Sequence, residues 1–254
     1  MNKLTLFLML VVYMPSAWSF TLLSNRVRFA TDKIALIGAS NDCVNAGVSA
    51  SELLDIAEKA AEDTWNQVST ANMELEKSGI TSADTSADTL NAAINKSRVN
   101  AILIGCSSNT TLFTSASTLA VGSIGSASSG AVGIVLINDA LIGGVNRVST
   151  LPRNELEATL AHEIGHALGI GHSSDPVALM YYSIGDKTQE NLAQDDWDAL
   201  TYLYPHENLP GACGSIGNSN PSSWWISLSL GLFLVFLVVQ IGHRRNRRTR
   251  GFAS

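Results

Sequence analysis

Residues 162–172 read His-Glu-Ile-Gly-His-Ala-Leu-Gly-Ile-Gly-His and hold three of the five histidines of the chain. His162 and His166 stand four apart. On a helix that spacing puts both imidazoles on one face, a turn apart, where two nitrogens can share a zinc ion at ~2.0–2.1 Å each. Glu163 follows the first of them and projects slightly around the helix, within reach of a water held by the metal. Gly169 permits the positive φ that turns a chain sharply away from a helix end. After that turn His172 comes back to the same metal. Three neutral histidines leave a dipositive ion with an open position, the arrangement of a catalytic rather than a closed structural zinc. The expected cofactor is one Zn2+ ion, with His162, His166 and His172 as metal ligands.

Working outward, the ligand helix is expected to begin near Pro152, a residue suited to a first helical turn, and to run to about Leu168. A last helix over 192–204 places Trp197, Leu200, Leu203 and Tyr204 on its inner face, and Pro205 stops it. Upstream, the apolar runs 100–105 (NAILIG) and 132–137 (VGIVLI) read as buried strands. Residues 27–29 and 34–37 form a first strand region, and 72–76 alternates like another strand. Ser49 as N-cap with Glu52 as its partner has the capping-box pattern. Leu53, Ala57, Ala60, Thr64 or Trp65, and Val68 then recur at helical spacing, predicting one long amphipathic helix. The polar stretch 78–98, with Thr-Ser-Ala-Asp at 81–84 and again at 85–88, reads as a solvent loop. Residues 107–130 are rich in Ser, Thr, Gly and Ala, with Leu119-Ala120-Val121 embedded. The order of elements predicts a mixed α/β (α+β) domain with most strands early.

The pattern HExxHxxGxxH over 162–172 resembles the metzincin zinc endopeptidases. Ser173, the following Ser174-Asp175, and Ala178-Leu179-Met180-Tyr181 resemble the matrixin branch of that family. The resemblance implies a five-stranded mixed sheet, an active-site helix, a cleft and a small C-terminal subdomain with one helix. It makes Met180 the methionine of a Met-turn, an apolar floor beneath the ligands. It implies hydrolysis of internal peptide bonds by a zinc-activated water, with Glu163 as the catalytic general base, and a protein or peptide substrate. That substrate would lie extended along a sheet edge at 118–124, with Leu119 and Ala120 nearest the metal, while 137–144 and 183–192 shape the cleft. Tyr182 falls where the astacin and serralysin branches place a zinc-proximal tyrosine. It either stabilises the oxyanion or forms a wall of the substrate pocket.

The chain also departs from the matrixin pattern. Met180 is followed by Tyr181-Tyr182 rather than Tyr-Pro. No cysteine-switch propeptide is expected between Ser19 and the first strand. The remaining histidines, His206 and His243, lie in the wrong region for a second zinc, and calcium, though compatible with the family, has no supporting residue pattern. An alternative function is a surface-attached zinc-binding adhesion or binding module without proteolysis. A further one is a zinc hydrolase acting on a non-peptide bond.

The chain has 254 residues, of which 46% are hydrophobic and only 15% charged, which excludes disorder over the whole length. Residues 26–207 contain ten basic and 22 acidic side chains, a net charge of −12. So acidic a body argues against a nucleic-acid partner, because phosphate binding needs clustered Lys and Arg.

The two ends read as addresses. Residues 1–19 carry Lys3, an apolar run and Ala17-Trp18-Ser19, the layout of a signal peptide cleaved after Ser19. Residues 20–209 are the expected catalytic domain. Residues 210–222 form a linker in which Cys213-Gly214 is a candidate sorting motif. Residues 223–243 form an uncharged apolar stretch suited to one membrane crossing, and 244–254 are a basic cytoplasmic tail with five arginines. The three parts look like the sorting tails of bacterial exported proteins, in which the helix is removed after export; a permanent anchor is the other reading. The expected location is exported, and either membrane-anchored or at the cell surface after processing, with the membrane as a partner at least transiently. Three cysteines in an exported chain leave one over if two pair. Cys43 with Cys106, both in the body, is the expected disulfide, with Cys213 left to the tail. No oligomeric state follows from the sequence.

Overall fold

Strands β3 (Ala101–Ser107) and β5 (Gly130–Asn138) lie side by side in parallel and are buried along nearly their whole length. Strands covered on both faces read as unbroken apolar runs rather than as alternation, which is why these two are plain in the sequence. In the computed structural model, which describes residues 20–23, 27–183 and 192–206, three more strands complete one mixed sheet. They are β1 (Lys33–Gly38), β2 (Glu74–Ile80) and β4 (Ala120–Ala127), and the order across the sheet is β2-β1-β3-β5-β4. β1, β2, β3 and β5 run parallel; β4 is antiparallel to β5 and forms an edge.

Helix α1 (Ala50–Asp63) connects β1 to β2, as a parallel pair requires. A five-residue helix α2 (Leu90–Ile94) precedes β3, helix α3 (Arg153–Ala167) follows β5, and helix α4 (Gln194–Leu203) comes last. α1 and α3 share one face of the sheet in a core with Ile34, Leu36, Ile102, Ile104, Val135 and Ile137. Phe113, Leu103, Ile134 and Leu136 fill the opposite face, which Ala93 of α2 helps to cover. The expected mixed α/β architecture with five strands is the one observed. Cys43 and Cys106 are joined by a disulfide that ties the loop before α1 to β3.

Several elements differ from the sequence reading. Ser49 caps α1 by accepting from the Glu52 amide at 3.2 Å, but the Glu52 carboxylate turns to Arg153 instead of closing the box. α1 stops at Asp63 rather than reaching Val68. Thr64 folds its hydroxyl back onto the Ala60 carbonyl, and a 3-10 turn over Trp65–Gln67 drops the Trp65 ring into the core. There its indole N–H donates to Ala161 O of α3 at 2.8 Å. β2 runs on to Ile80 on an exposed edge, and α2, capped by Thr89, lies inside the stretch read as loop.

The expectation of a transmembrane helix, with the membrane anchor, membrane contact and anchored location drawn from it, is corrected. Among the described residues no helix is long and apolar enough to cross a membrane. A crossing needs about 20 apolar residues, whereas the longest described helix, α3, has 15 and carries Arg153, two histidines and four other ionisable or amide side chains. The readings of 1–19 as signal peptide, 210–222 as linker with Cys213-Gly214, 223–243 as membrane helix and 244–254 as basic tail all lie outside the described residues.

Candidate metal centre

Helix α3 sets out two of the three candidate ligands. Pro152 stands just before it, its carbonyl accepting from the Glu155 and Leu156 amides. One turn apart on the buried side, the His162 and His166 rings meet edge to face with centroids 4.8 Å apart. The helix then ends in a Schellman turn. The Ile170 amide reaches back to Gly165 O and the Gly169 amide to His166 O, both at 3.0 Å. Gly169 sits at φ +102°, which a side chain at that position would strain.

The turn does more than stop the helix. It aims the Ile170 carbonyl at His166, whose Nδ1 lies 2.8 Å away, and it sends the chain back so that His172 faces both other rings, at 5.5 and 4.8 Å. His162 Nδ1 lies 2.7 Å from Leu179 O. A carbonyl only accepts, so both Nδ1 atoms carry the proton and both Nε2 atoms keep a lone pair for a metal. One ligand atom from each histidine gathers within 4.8 Å of the others. Burial holds His166 down to about 4 and lowers His172 as well. Both rings then favour the neutral form, as metal ligation requires. The donor set fits one zinc ion.

Met180 is fully buried against the helix that carries two of the rings. Gly165 makes room for it: a Cβ there would sit 2.4 Å from Met180 Sδ and 2.7 Å from the Trp65 ring. The turn carrying Met180 hangs from α4. The Asp196 carboxylate, 1% exposed, accepts from the amides of Leu179 (2.7 Å), Met180 (3.0 Å) and Ala193 (2.9 Å). Burial raises its pKa against the pull of these three donors. Ser173 ties the loop of His172 to the same turn. Its amide donates to Met180 O at 2.8 Å and its hydroxyl to Asp195.

The residues Phe20–Leu23 form a strap on the other side of that loop. The Leu23 amide donates to Gly169 O (3.0 Å), the Gly171 amide to Thr21 O (2.8 Å), and the Thr21 hydroxyl to His172 O (2.7 Å).

Glu163 faces β4. The residue is 8% exposed, and burial pushes its carboxyl up to about 8 against the stabilising contact of the Gly122 amide. Gly122 is small for a reason, since a Cβ there would lie 2.1 Å from the Glu163 carbonyl oxygen. The Asn138 amide donates to Leu119 O at 2.8 Å. By the alternation of an antiparallel ladder, the backbone groups of Ala120 and Gly122 turn away from β5, toward the open edge. Along that edge runs a cleft of about 580 Å³, lined by 117–122 on one side and by Thr159, the three histidines and Glu163 beneath. Tyr182 also lines it, 67% exposed and with its ring 4.4 Å from that of Tyr181.

The structure thus brings His162, Glu163, His166, His172, Leu119, Ala120 and Tyr182 to one cleft, with Met180 packed on Gly165 of the ligand helix, whereas the Cys43–Cys106 disulfide lies away from the lining. Sequence reasoning missed Gly122, Gly165, Asp195, Asp196 and Thr21. A signal existed for two of them. A glycine inside a helix costs about 1 kcal/mol relative to alanine and so asks for a packing reason. An aspartate three residues past a helix start marks a capping role.

Comparison with known proteins agrees with this geometry. Residues 60–205, more than half of the chain, match the matrixin peptidase family. Among curated relatives, metalloendoproteinase 1 of Glycine max is 49% identical over 63 residues, covering 24% of this chain and 21% of its own. Human matrilysin is 50% identical over 58 residues, 22% of this chain and 21% of its own. Metalloendoproteinase 5-MMP of Arabidopsis thaliana is 38% identical over 101 residues, 33% and 27% of the two chains. The matches span only about a fifth to a quarter of these relatives' length. With three histidines converging from a helix and its return loop, and a match over more than half of its length, the chain belongs to the matrixin family.

Proposed function

We propose that this protein is a zinc-dependent endopeptidase that hydrolyses internal bonds of protein or peptide substrates within a catalytic domain formed by residues 20–209. The observation that carries the reading is the placement of Glu163 beside three convergent histidine nitrogens and under an open strand edge. When bound by His162, His166 and His172, zinc supplies Lewis-acid chemistry, acidifying water and polarising a carbonyl.

The chain's own residues do the rest. An extended substrate adds to the edge of β4 through the outward backbone groups of Ala120 and the carbonyl of Gly122. Glu163 takes a proton from the attacking water as its oxygen bonds to the scissile carbonyl carbon. As the C–N bond breaks, Glu163 passes that proton to the leaving amine. The Gly122 amide holds the carboxylate in place. The exposure of Tyr182 and its tilted ring contact with Tyr181 favour a wall of the pocket over an oxyanion donor. The Cys43–Cys106 disulfide supports secretion into an oxidising compartment.

Glu163→Ala protein, shown by metal analysis to hold zinc, is expected to cleave unfolded casein at least 100-fold more slowly than the wild type. Undiminished cleavage would reject the mechanism. A wild-type protein that binds zinc and leaves casein intact with and without chelator would instead favour a zinc-binding adhesion module.

A further inference from the structure

We propose that Arg147 is a specificity-determining residue, selecting substrates that carry an acidic side chain a few residues from the scissile bond; this rests on the endopeptidase reading. Eight cationic side chains other than histidine fall among the described residues, and seven are engaged. Lys33, Lys59, Lys77, Lys96 and Arg153 are in ion pairs. Arg28 donates to Leu203 O and Arg98 to the Ser78 hydroxyl. Arg147 is the eighth. Among the described residues its guanidinium has no acidic partner, although the body carries a net charge of −12. Instead it lines the cleft, whose wall also includes the neutral Ser117, Thr118 and Ser183.

Its place is fixed by the fold. The neighbouring Asn146 is buried, and its side-chain amide donates to Asn138 O at 2.9 Å and Ala140 O at 3.2 Å. The Arg147 carbonyl accepts from the amide and the hydroxyl of Thr150, at 3.2 and 2.9 Å. Asn138 also reaches the opposite wall, donating through its side chain to Thr118 O at 2.7 Å. One residue at the end of β5 therefore anchors both the backbone beside Arg147 and the start of the edge strand.

A peptide laid along β4 from Gly122, beside Glu163, toward Thr118 covers about 13 Å at ~3.3 Å per residue. That distance places the substrate side chain nearest Arg147 about two to four positions from the scissile bond. A guanidinium with free N–H groups pairs with a carboxylate through two parallel hydrogen bonds, and a carboxylate is the side chain that an otherwise acidic protein repels elsewhere.

The test uses internally quenched peptides with an amidated C-terminus, identical except for Glu, Gln or Lys at positions two to four on either side of the cleaved bond. Cleavage is followed, and in parallel the equilibrium binding of each peptide to zinc-loaded Glu163→Ala protein by fluorescence anisotropy. Glu at one of these positions is expected to improve both readouts about threefold to fivefold over Gln, as for one partly exposed ion pair. The advantage shrinks in 0.5 M salt, persists in Arg147→Lys and turns into a preference for Lys in Arg147→Glu. Equal binding of Glu and Gln peptides at every position overturns the proposal, as does a Glu preference that survives Arg147→Glu. Tighter binding of the Glu peptides without any cleavage by the wild type supports Arg147 as the selector and strikes the endopeptidase reading alone.

Discussion

Helices α1 and α3 lie on the same face of the same sheet, yet they treat polar groups in opposite ways. α1 buries one stripe, Leu53, Leu54, Ile56, Ala57, Ala60 and Ala61. Its charges stay in water: Asp55 and Glu58 meet Lys77, Lys59 meets Asp63, and Glu52 meets Arg153. α3 is enclosed on all sides. From Leu156 to Ala167 only Glu157 and His166 are less than fully buried, and Thr159, His162 and Glu163 are enclosed with the apolar side chains. Surrounding a helix in this way is costly for its polar groups and useful for chemistry. The same burial that would penalise an idle carboxylate lifts Glu163 up to about 8 and keeps His166 neutral. The difference teaches that α1 contributes area to the fold and α3 contributes environment to the site.

That contrast can be broken in three places. The largest effect is expected in metal-free protein titrated with acid. His166 is held down to about 4 in the native state against 6.5 when unfolded. Between these values the unfolded chain binds a proton that the native chain refuses. The contribution of His166 is therefore full above pH 6.5 and is lost as the pH drops toward 4, by on the order of 3 kcal/mol, while the Glu163 carboxyl, pushed up to about 8, titrates in the opposite sense. Chemical denaturation in the presence of chelator at pH 7 and pH 4.5 measures it as the difference between wild type and His166→Gln, in which the Glu163 contribution cancels; equal pH slopes would show that another group is responsible. Next in size, Gly165→Val forces a branched side chain against Met180 and Trp65. A loss of about 1–3 kcal/mol is expected, as for overpacked cores, together with weaker zinc retention in a chelator competition; a melting midpoint equal to the wild type would show that the floor yields. Smallest is Glu52→Ala on α1, which removes an exposed partner of Arg153 and should change unfolding free energy by under about 1 kcal/mol. A larger loss would mean that α1 too depends on its outer charges.

Legibility in the sequence followed the same division. The three ligands could be read because their spacing encodes a helix and its exit turn, both local. β3 and β5 could be read because strands covered on both faces are apolar throughout. β4 could not. It is an edge strand of Ala, Val, Gly, Ser and Ile, and its small residues answer to the close approach of α3 at Gly122, which no periodicity announces. The exit from α1 was overrun because Trp65 and Val68 keep the helical rhythm after the backbone has left it. Asp195 and Asp196 look like ordinary solvent-facing acids at a helix start, and only the fold shows that they hold the turn carrying Met180 and the loop carrying His172. What the sequence left unread was long-range contact rather than local conformation.

The strap at Thr21 has a consequence for assembly. The two ligands on α3 are neighbours along the chain and are brought together as soon as one helical turn forms. The loop presenting His172 is pinned by a hydroxyl donated from 151 residues away, a closure that comes late wherever distant contacts are slow to meet. Tridentate capture of the ion is thus expected to mark the completion of folding rather than to nucleate it, so that a nascent or partly unfolded chain holds zinc only loosely, through two rings.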